Sequence, residues 1–327
     1  MSSSTSDIFQ AEYDAFTQGC GYAVLQDWST VALAGDDRMG FLHNLCTNDI
    51  RQLAAGEGCE AFCTDVRGKI VAHVFAIAAE DRLELLSVPE QSAPLIEHLQ
   101  RYIIREDVQL EDETGSTSWI MLSGAHALEL LTGWTPAVAS QCDQPWCSLL
   151  GRIGKIDCLI VGCNLVWPKH FLLRCQADEL PRVCQSLVDA GAVACGPSVW
   201  TAVRVESGLP LFGVDFDSSN LPQEISRDDR AISFRKGCYL GQETIARIDA
   251  LGHVNQQLVR VQFSGKTVPS PGTALGGDAQ EVGQITTACW SPQRKSPLAL
   301  AMVRRGWNEA GRSLDSEFGA ATVEPLR

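Results

Sequence analysis

The character of the sequence changes at Gly252, and this change restricts the fold more than any other feature. Before it, short apolar runs typical of strands alternate with segments whose apolar residues recur at helical spacing. After it, short apolar segments are separated by turns that contain Gly and Pro: QQLVRVQF, EVGQITTACW, PLALAMVR and ATVEPL. This second pattern is typical of a small all-β barrel. We therefore predict an α+β protein that ends in a C-terminal β-barrel.

A second alternation of strands and helices begins near residue 148, so we expect three parts along the chain. They are an N-terminal α+β part over residues 1–147, a second α+β part over residues 148–252, and the barrel over residues 253–327. The length of 327 residues allows a sizeable core without metal ions or disulfides. With 45% hydrophobic and 20% charged residues, the composition is globular and excludes disordered and fibrous proteins.

The chain is acidic, and its charge argues against nucleic acid as a direct partner. Lys and Arg total 26 against 40 Asp and Glu, which gives a net charge of −14 at pH 7. Such a field repels phosphate backbones, whose neutralisation by basic residues supplies much of nucleic-acid affinity. Between Arg227 and Arg247, five basic residues stand against three acidic ones, a local surplus that would suit an acidic ligand or the phosphates of a partner. The alternative is a solvated helix face of mixed charge.

The sequence contains thirteen cysteines but no sign of export. The N-terminus has neither the basic nor the apolar region of a secretory signal, and no apolar run reaches the ~18 residues of a transmembrane helix. We therefore expect a reduced, cytoplasmic protein without a membrane segment. Cys59 and Cys63 would lie on one face of a strand, either as a ligand pair or as core residues. Because the six histidines are isolated from one another and from carboxylates at ligand spacing, we expect no metal site.

The strongest local signal lies around Cys238. This cysteine follows Gly237, stands two residues after Lys236 and precedes a predicted helix that starts near Gly241. A nearby cation and the positive end of a helix dipole both favour thiolate over thiol, so Cys238 is the candidate catalytic residue. The alternative is a buried structural cysteine in a glycine turn. The motif is K-G-C-Y-L-G-Q-E, and its candidate site residues are Lys236, Gly237, Cys238, Tyr239, Gly241, Gln242 and Glu243.

This motif resembles the signature of the YgfZ family of folate-binding proteins associated with tRNA modification. That family belongs to the superfamily of the glycine-cleavage aminomethyltransferase, also called GcvT-like. Further segments match it in order along almost the whole chain: QDW and TNDI near the N-terminus, WTAVRVESG in the centre, and VGQIT in the barrel. The resemblance implies a ring of three subdomains around a central tunnel that holds tetrahydrofolate.

The resemblance also implies which residues would hold the folate. Trp28 and Trp200 occupy the positions of two tryptophans that are associated with folate in the family. Glu206 matches the carboxylate that pairs with the amino group and ring N–H of the pterin. A planar pterin stacks well on indole rings, and a fixed carboxylate accepts two hydrogen bonds at once. The alternative for each tryptophan is core packing or an interface anchor.

One departure from the superfamily concerns the chemical step. In aminomethyltransferases the hairpin after the first glycine block carries paired aspartates, one of which acts in one-carbon transfer. Here Ala72 and His73 stand in the corresponding stretch. Without that carboxylate, proton handling loses its obvious agent, so we expect folate binding without glycine-cleavage activity.

These observations lead to a preferred function and two alternatives. The first is a folate-binding accessory factor that supports iron–sulfur enzymes, including those that thiomethylate tRNA, with Cys238 at the rim of the tunnel as its functional residue. The second is a folate-dependent one-carbon transferase or demethylase. The third is a non-catalytic module in which folate only stabilises the fold.

Overall fold

The computed structural model describes residues 3–142, 144–167, 170–278 and 280–326. Short 3-10 helices lie at Ile50–Gln52, Ala177–Glu179 and Pro222–Ile225. The α-helices in these ranges are α1 (Ser3–Thr17), α2 (Arg38–His43), α3 (Ser92–Gln100), α4 (Ala127–Trp134), α5 (Val138–Gln141), α6 (Leu180–Asp189), α7 (Pro197–Ser207), α8 (Asp228–Ala231) and α9 (Gln242–Leu251). None of these helices is both long enough and apolar enough to cross a membrane.

The strands form three sheets, which we call the first, second and barrel sheets in the order used below. They are β1 (Gly21–Leu25), β2 (Trp28–Ala34), β3 (Gly58–Thr64), β4 (Ile70–Ala78), β5 (Arg82–Pro89), β6 (Gln109–Asp112), β7 (Thr117–Ser123), β8 (Cys147–Ile153), β9 (Ile156–Cys163), β10 (His170–Gln176), β11 (Val193–Ala194), β12 (Gln256–Phe263), β13 (Ala274–Gly277), β14 (Gln280–Ser291), β15 (Ser296–Arg304), β16 (Ser313–Leu314) and β17 (Ala321–Glu324).

The first sheet is antiparallel, with strand order β3-β4-β5-β2-β6. Its inner strand β4 is buried along almost its whole length, because both faces of the sheet are covered. On one face, Val31 and Val74 pack against apolar residues of α2 and α3. On the other, Phe62 and Phe75 enter a central core that the second sheet also faces.

The second sheet has strand order β11-β1-β7-β10-β9-β8, with β11 and β1 parallel and the other pairs antiparallel. Met121 and Leu172 point into the central core, whereas Ile120 and Leu173 pack against α4 and α6 on the opposite face. Alternate residues of β7 and β10 thus serve the two faces, as the two-residue period of a strand requires. This sheet contains strands from both sides of residue 147. The expected boundary between the first and second parts of the chain therefore lies within one sheet.

The barrel sheet has strand order β13-β14-β15-β12-β17-β16 and encloses its own apolar core. A bridge between Gly276 and Asp315 brings its two edges together and nearly closes the sheet. Helix α7 packs on β14, which joins the barrel to the rest of the molecule. The prediction of an α+β protein with a small C-terminal β-barrel is therefore confirmed.

Candidate functional site

A cavity of about 540 Å³ lies where the second sheet, helix α7 and the barrel meet. This volume falls within the usual range for small-molecule sites. Because it lies at the junction of these elements, we call it the central cavity. Its lining consists of Pro145, Cys163, Asn164, Leu165, Val166, Trp167, Glu206, Ser207, Arg230, Arg260, Gln293 and Arg294.

Glu206 stands in the wall of the central cavity near the end of α7, and two neighbours fix its carboxylate. The Tyr13 hydroxyl donates to Oε2 at 2.7 Å, and the Ser291 hydroxyl donates to Oε1. Burial and then this hydrogen bond raise the pKa of Tyr13 well above its ordinary value, which keeps the phenol a donor. Each carboxylate oxygen retains a further lone-pair site. The arrangement presents a fixed pair of acceptors, as recognition of two adjacent N–H groups requires.

Three arginines give the cavity a positive wall. Arg230 donates to the carbonyl of Asn164 at 2.8 Å. Arg260 and Arg294 share one acidic partner, Glu324, at 2.8 and 3.3 Å. Arg260 also donates to the backbone carbonyl of Glu206. Guanidinium groups recognise carboxylates by paired hydrogen bonds, so the cavity can accept an acidic group of a ligand.

Trp167 adds an exposed aromatic ring to the lining, and sequence analysis missed it. Its side chain is 64% exposed, and its backbone N–H donates to the Ser207 hydroxyl at 2.9 Å. An indole on the loop between β9 and β10 offers a flat surface for a planar ligand. The available sequence signal was a tryptophan followed directly by a proline.

The two predicted folate tryptophans lie together in the central core. Trp28 is 6% exposed, stacks on Phe75 with ring centroids 6.3 Å apart, and meets Trp200 edge-on at 6.4 Å and 67°. Neither tryptophan belongs to the lining of the central cavity given above. The edge-on contact leaves no gap for a third ring between them, so the structure unites Trp28 with Trp200 but does not bring them to the cavity that Glu206 lines.

His73 is part of a buried charged cluster that the sequence did not reveal. Its Nε2 lies 2.8 Å from Glu60 Oε1, and Arg227 forms a two-pronged ion pair with the same carboxylate. All three side chains are 1% exposed. Burial alone would raise the pKa of Glu60, but the Arg227 charge and the bond from His73 hold it well below its ordinary value. His73 therefore serves this cluster, while its neighbour Ala72 lies in the apolar core.

Lys236 of the motif is turned into the protein. It is buried, and its Nζ donates to the carbonyl oxygens of His43, Cys46 and Asn48 at 2.5, 2.7 and 2.8 Å. The ammonium also lies over the Tyr239 ring, 4.8 Å from its centroid. Its charge is thus taken up by α2 and the loop that follows. None of these contacts involves Cys238, so they do not support the expected role of Lys236 as an activator of the thiol.

Cys238 is the exposed member of the thirteen cysteines. This exposure rejects the alternative of a buried structural cysteine. Helix α9 begins at Gln242 with Gly241 as its N-cap, so three residues separate the thiol from the helix. The dipole acts mainly within the first turn, and the expected dipole effect on Cys238 is correspondingly weak. Glu243 is exposed in the first turn of that helix.

Most of the local positive charge expected between Arg227 and Arg247 is used in contacts within the molecule. Of the five basic residues in this segment, Arg227 pairs with Glu60, Lys236 binds carbonyls, and Arg230 lines the central cavity. Two exposed arginines then remain, and two exposed acids balance them: Arg235, Arg247, Asp229 and Glu243. The exposed part of this segment is therefore a solvated face of mixed charge, and of the five basic residues Arg230 alone faces the central cavity.

The cysteines of β3 belong to the packed interior. Cys63 is buried and Cys59 packs against the same apolar cluster beneath α2 and α3. Burial raises the pKa of the neighbouring Cys46 thiol to about 11. Over the residues with described positions, no group of three or more His, Cys, Asp or Glu is arranged to hold a metal ion.

Comparison with known proteins places the whole chain in one family. The GCVT N-terminal domain matches residues 2–236, and the glycine cleavage T-protein C-terminal barrel domain matches residues 256–324. The aminomethyltransferase T structure from Bartonella henselae superposes with a TM-score of 0.84 at 17% identity, covering 97% of this chain and 88% of that one. This likeness confirms the GcvT-like fold.

Among curated relatives, a putative chloroplastic transferase of Arabidopsis thaliana is 26% identical over 302 residues, covering 89% of this chain and 67% of that protein. An aminomethyltransferase of Caldanaerobacter subterraneus subsp. tengcongensis is 21% identical and covers 93% of this chain and 82% of its own. The tRNA-modifying protein YgfZ of Edwardsiella ictaluri is 28% identical over 248 residues, covering 75% of this chain and 72% of that protein. On the two domain matches, the chain belongs to the glycine cleavage T-protein family.

Proposed function

We propose that this protein binds tetrahydrofolate in the central cavity and acts as a YgfZ-type accessory factor for iron–sulfur enzymes, including those that thiomethylate tRNA. The observation that carries the folate part is that one cavity is lined by the fixed Glu206 carboxylate and by three arginines. The proposal places the protein in the cytoplasm, in keeping with the exposed free thiol of Cys238. Similarity to a YgfZ protein and the exposed Cys238 support the accessory role.

The chemistry of the lining residues supports this proposal. The paired acceptors of Glu206 suit the adjacent N–H groups of a pterin. Arg230, Arg260 and Arg294 suit the carboxylates of the glutamate tail, and Trp167 offers a surface for the aromatic middle of the ligand. A bound tetrahydrofolate would supply nitrogens that carry a one-carbon unit. Trp28 and Trp200 remain proposed folate residues, as the aromatic core beside the cavity.

A folate-dependent one-carbon transferase or demethylase is the second candidate. Several relatives are aminomethyltransferases by name, which favours transfer chemistry. Against it stand Ala72 and His73 in place of the paired aspartates, and His73 is already bound to Glu60. Within this chain the residue left for chemistry is therefore Cys238, and we assign it the functional thiol of the accessory role.

Calorimetric titration with tetrahydrofolate under reducing conditions tests the folate site. We expect saturable binding by the wild type. Glu206→Gln keeps the shape but removes the charge, and should weaken binding about tenfold or more, since a hydrogen bond to a charged group contributes roughly 1.5–3 kcal/mol. Glu129→Gln, on the exposed face of α4, is the matched control. Binding that is unchanged in Glu206→Gln would remove the folate from the central cavity.

Trp200→Ala in the same titration tests the tryptophan pair. Weaker binding supports its assignment to the folate, whereas a loss of thermal stability alone assigns it to the core.

The role of the thiol is tested with Cys238→Ala, which should lower the activity of client iron–sulfur enzymes without loss of stability because the side chain is exposed. Cys147→Ala is the control, and normal client activity in Cys238→Ala would reject the functional thiol. Turnover of an N-methyl or aminomethyl donor by the wild type would favour the transferase.

A further inference from the structure

A second cavity, of about 720 Å³, lies between the end of α9, the segment that enters the barrel, and the turn after β15. We call it the α9 cavity. Ile248 and Val254 give it apolar walls, and its polar lining includes Gln223, Asp228 and Glu309. It shares no lining residue with the central cavity, and the proposed function does not use it.

Gln223 is an acceptor without a donor in this cavity. The residue is 6% exposed, and its Nε2 donates to the carbonyl of Ile245 at 2.7 Å, which fixes the orientation of the amide. Oε1 is thereby directed away from that carbonyl, and it is buried without a hydrogen-bond partner among the residues of known position. A buried acceptor left without a donor costs free energy, so this oxygen is a place where a ligand N–H would be stabilising.

Asp228 lines the same cavity and also has an oxygen without a donor. Its Oδ1 is buried and lacks a hydrogen-bond partner over the part of the chain that is described. Burial, with smaller contributions from Asp229 and Asp249, raises the pKa of Asp228 to about 7. Once it ionises, the Asp228 carboxylate has no cation on Oδ1 within the described chain. The lining then carries three carboxylates, those of Asp228, Asp249 and Glu309, against Arg305 and the titratable His253.

The missing group is therefore a hydrogen-bond donor with a positive charge. An alkylammonium head has three N–H donors, enough for an amide oxygen and a carboxylate together, and its methylene groups suit the apolar walls of Ile248 and Val254. We propose that the α9 cavity binds a small aliphatic amine in its ammonium form, with the Asp228 carboxylate and Gln223 Oε1 as the acceptors.

Calorimetry on the full chain with 1,4-diaminobutane tests this site, with 1,4-butanediol as an uncharged probe of similar length. The titration is run above the pH at which Asp228 ionises and at moderate salt, which screens diffuse attraction to an acidic protein. We expect saturable binding of the diamine and none of the diol. Asp228→Asn should weaken the diamine about tenfold or more. Asp229→Asn, an exposed neighbour outside the lining, is the matched control and should bind within about threefold of wild type.

A second variant keeps the test independent of one substitution. Gln223→Met removes the unpartnered oxygen with little change in volume, and it should also weaken the diamine, with folding of each variant checked by circular dichroism. Absence of saturable binding by the wild type, equal binding of the diol, or equal losses in Asp228→Asn and Asp229→Asn would each overturn the proposal. Tetrahydrofolate titrations of the same variants should match wild type, which separates this site from the proposed function.

Discussion

Lys236 offers the sharpest test of how the motif around Cys238 is built. Its ammonium donates to the carbonyls of His43, Cys46 and Asn48. These oxygens belong to the end of α2 and the loop after it, where a helix leaves carbonyls without partners. We predict that Lys236→Met, which keeps the apolar stem but removes the donors, destabilises the protein.

The size of the effect follows from these bonds. A hydrogen bond to a charged group contributes roughly 1.5–3 kcal/mol, but taking the ammonium out of water offsets part of this contribution. Burial, the largest influence, lowers the pKa of Lys236 from its ordinary value. Removing one partner from a buried charged cluster costs about 3–5 kcal/mol. Because desolvation of the ammonium offsets part of its contribution, we expect Lys236→Met to lower the free energy of unfolding by about 3 kcal/mol. Lys69→Met is the control: Lys69 donates to the Ser219 carbonyl at a more exposed position, so its loss should cost less than ~1 kcal/mol.

Equilibrium unfolding in urea, followed by circular dichroism, measures this loss. The reactivity of Cys238 toward a disulfide reagent is then measured as a function of pH on each folded variant. We expect Lys236→Met to lower the unfolding midpoint while the thiol titrates as in the wild type. A variant as stable as the wild type whose thiol reacts more slowly would refute the structural role and restore Lys236 as an activator of Cys238.

Two further predictions concern single positions. Gly241→Ala should lower the free energy of unfolding in urea by about 2–4 kcal/mol, because φ is +80° and a Cβ would lie 2.4 Å from the Asp65 carbonyl oxygen. Gly237→Ala is the control and should cost less than ~0.5 kcal/mol, because its Cβ would meet nothing within 4 Å. Equal effects of the two substitutions would contradict the geometry. The contribution of Asp228 to the free energy of unfolding should fall as pH rises from about 4 to about 7, because folded Asp228 holds its proton to about 7 and the unfolded carboxyl releases it near 3.8. This fall should be roughly 2 kcal/mol, after allowance for partial solvent access, and a pH series of Asp228→Asn that kept the full slope would reject this origin.

The strands and most helices could be predicted because their signals are local. The nearly continuous apolar runs of β4 and β15 are recognisable without knowledge of the rest of the chain, as are the Pro at the start of α7 and the Gly after its end. Helix α1 was missed because its Ser- and Thr-rich start is a weak helix signal. Its buried Tyr13 and Phe16, three residues apart on one face, were the usable sign.

The site was harder to predict because its contacts are distant in sequence. Glu60 and Arg227 are 167 residues apart, and Tyr13 and Glu206 are 193 apart. No local spacing encodes such pairs, so a count of basic residues around Cys238 could not show that Arg227 and Lys236 are used internally. The resemblance to a family supplied Glu206, but it could not supply the exposed Trp167 or the edge-on contact of the two core tryptophans.

The proposed folate site and residues 72 and 73 lie on different elements. Glu206 is held from α1 and the barrel, through Tyr13 and Ser291. His73 lies on β4 and is hydrogen-bonded to Glu60, and in the described part of the chain neither of these two residues is hydrogen-bonded to Glu206. Under the proposed function, substitutions at residues 72 and 73 would therefore leave the acceptors of the central cavity in place. We predict that Glu206→Gln loses folate affinity whereas a folded His73→Asn variant binds folate as the wild type does, and equal losses in the two variants would contradict this separation.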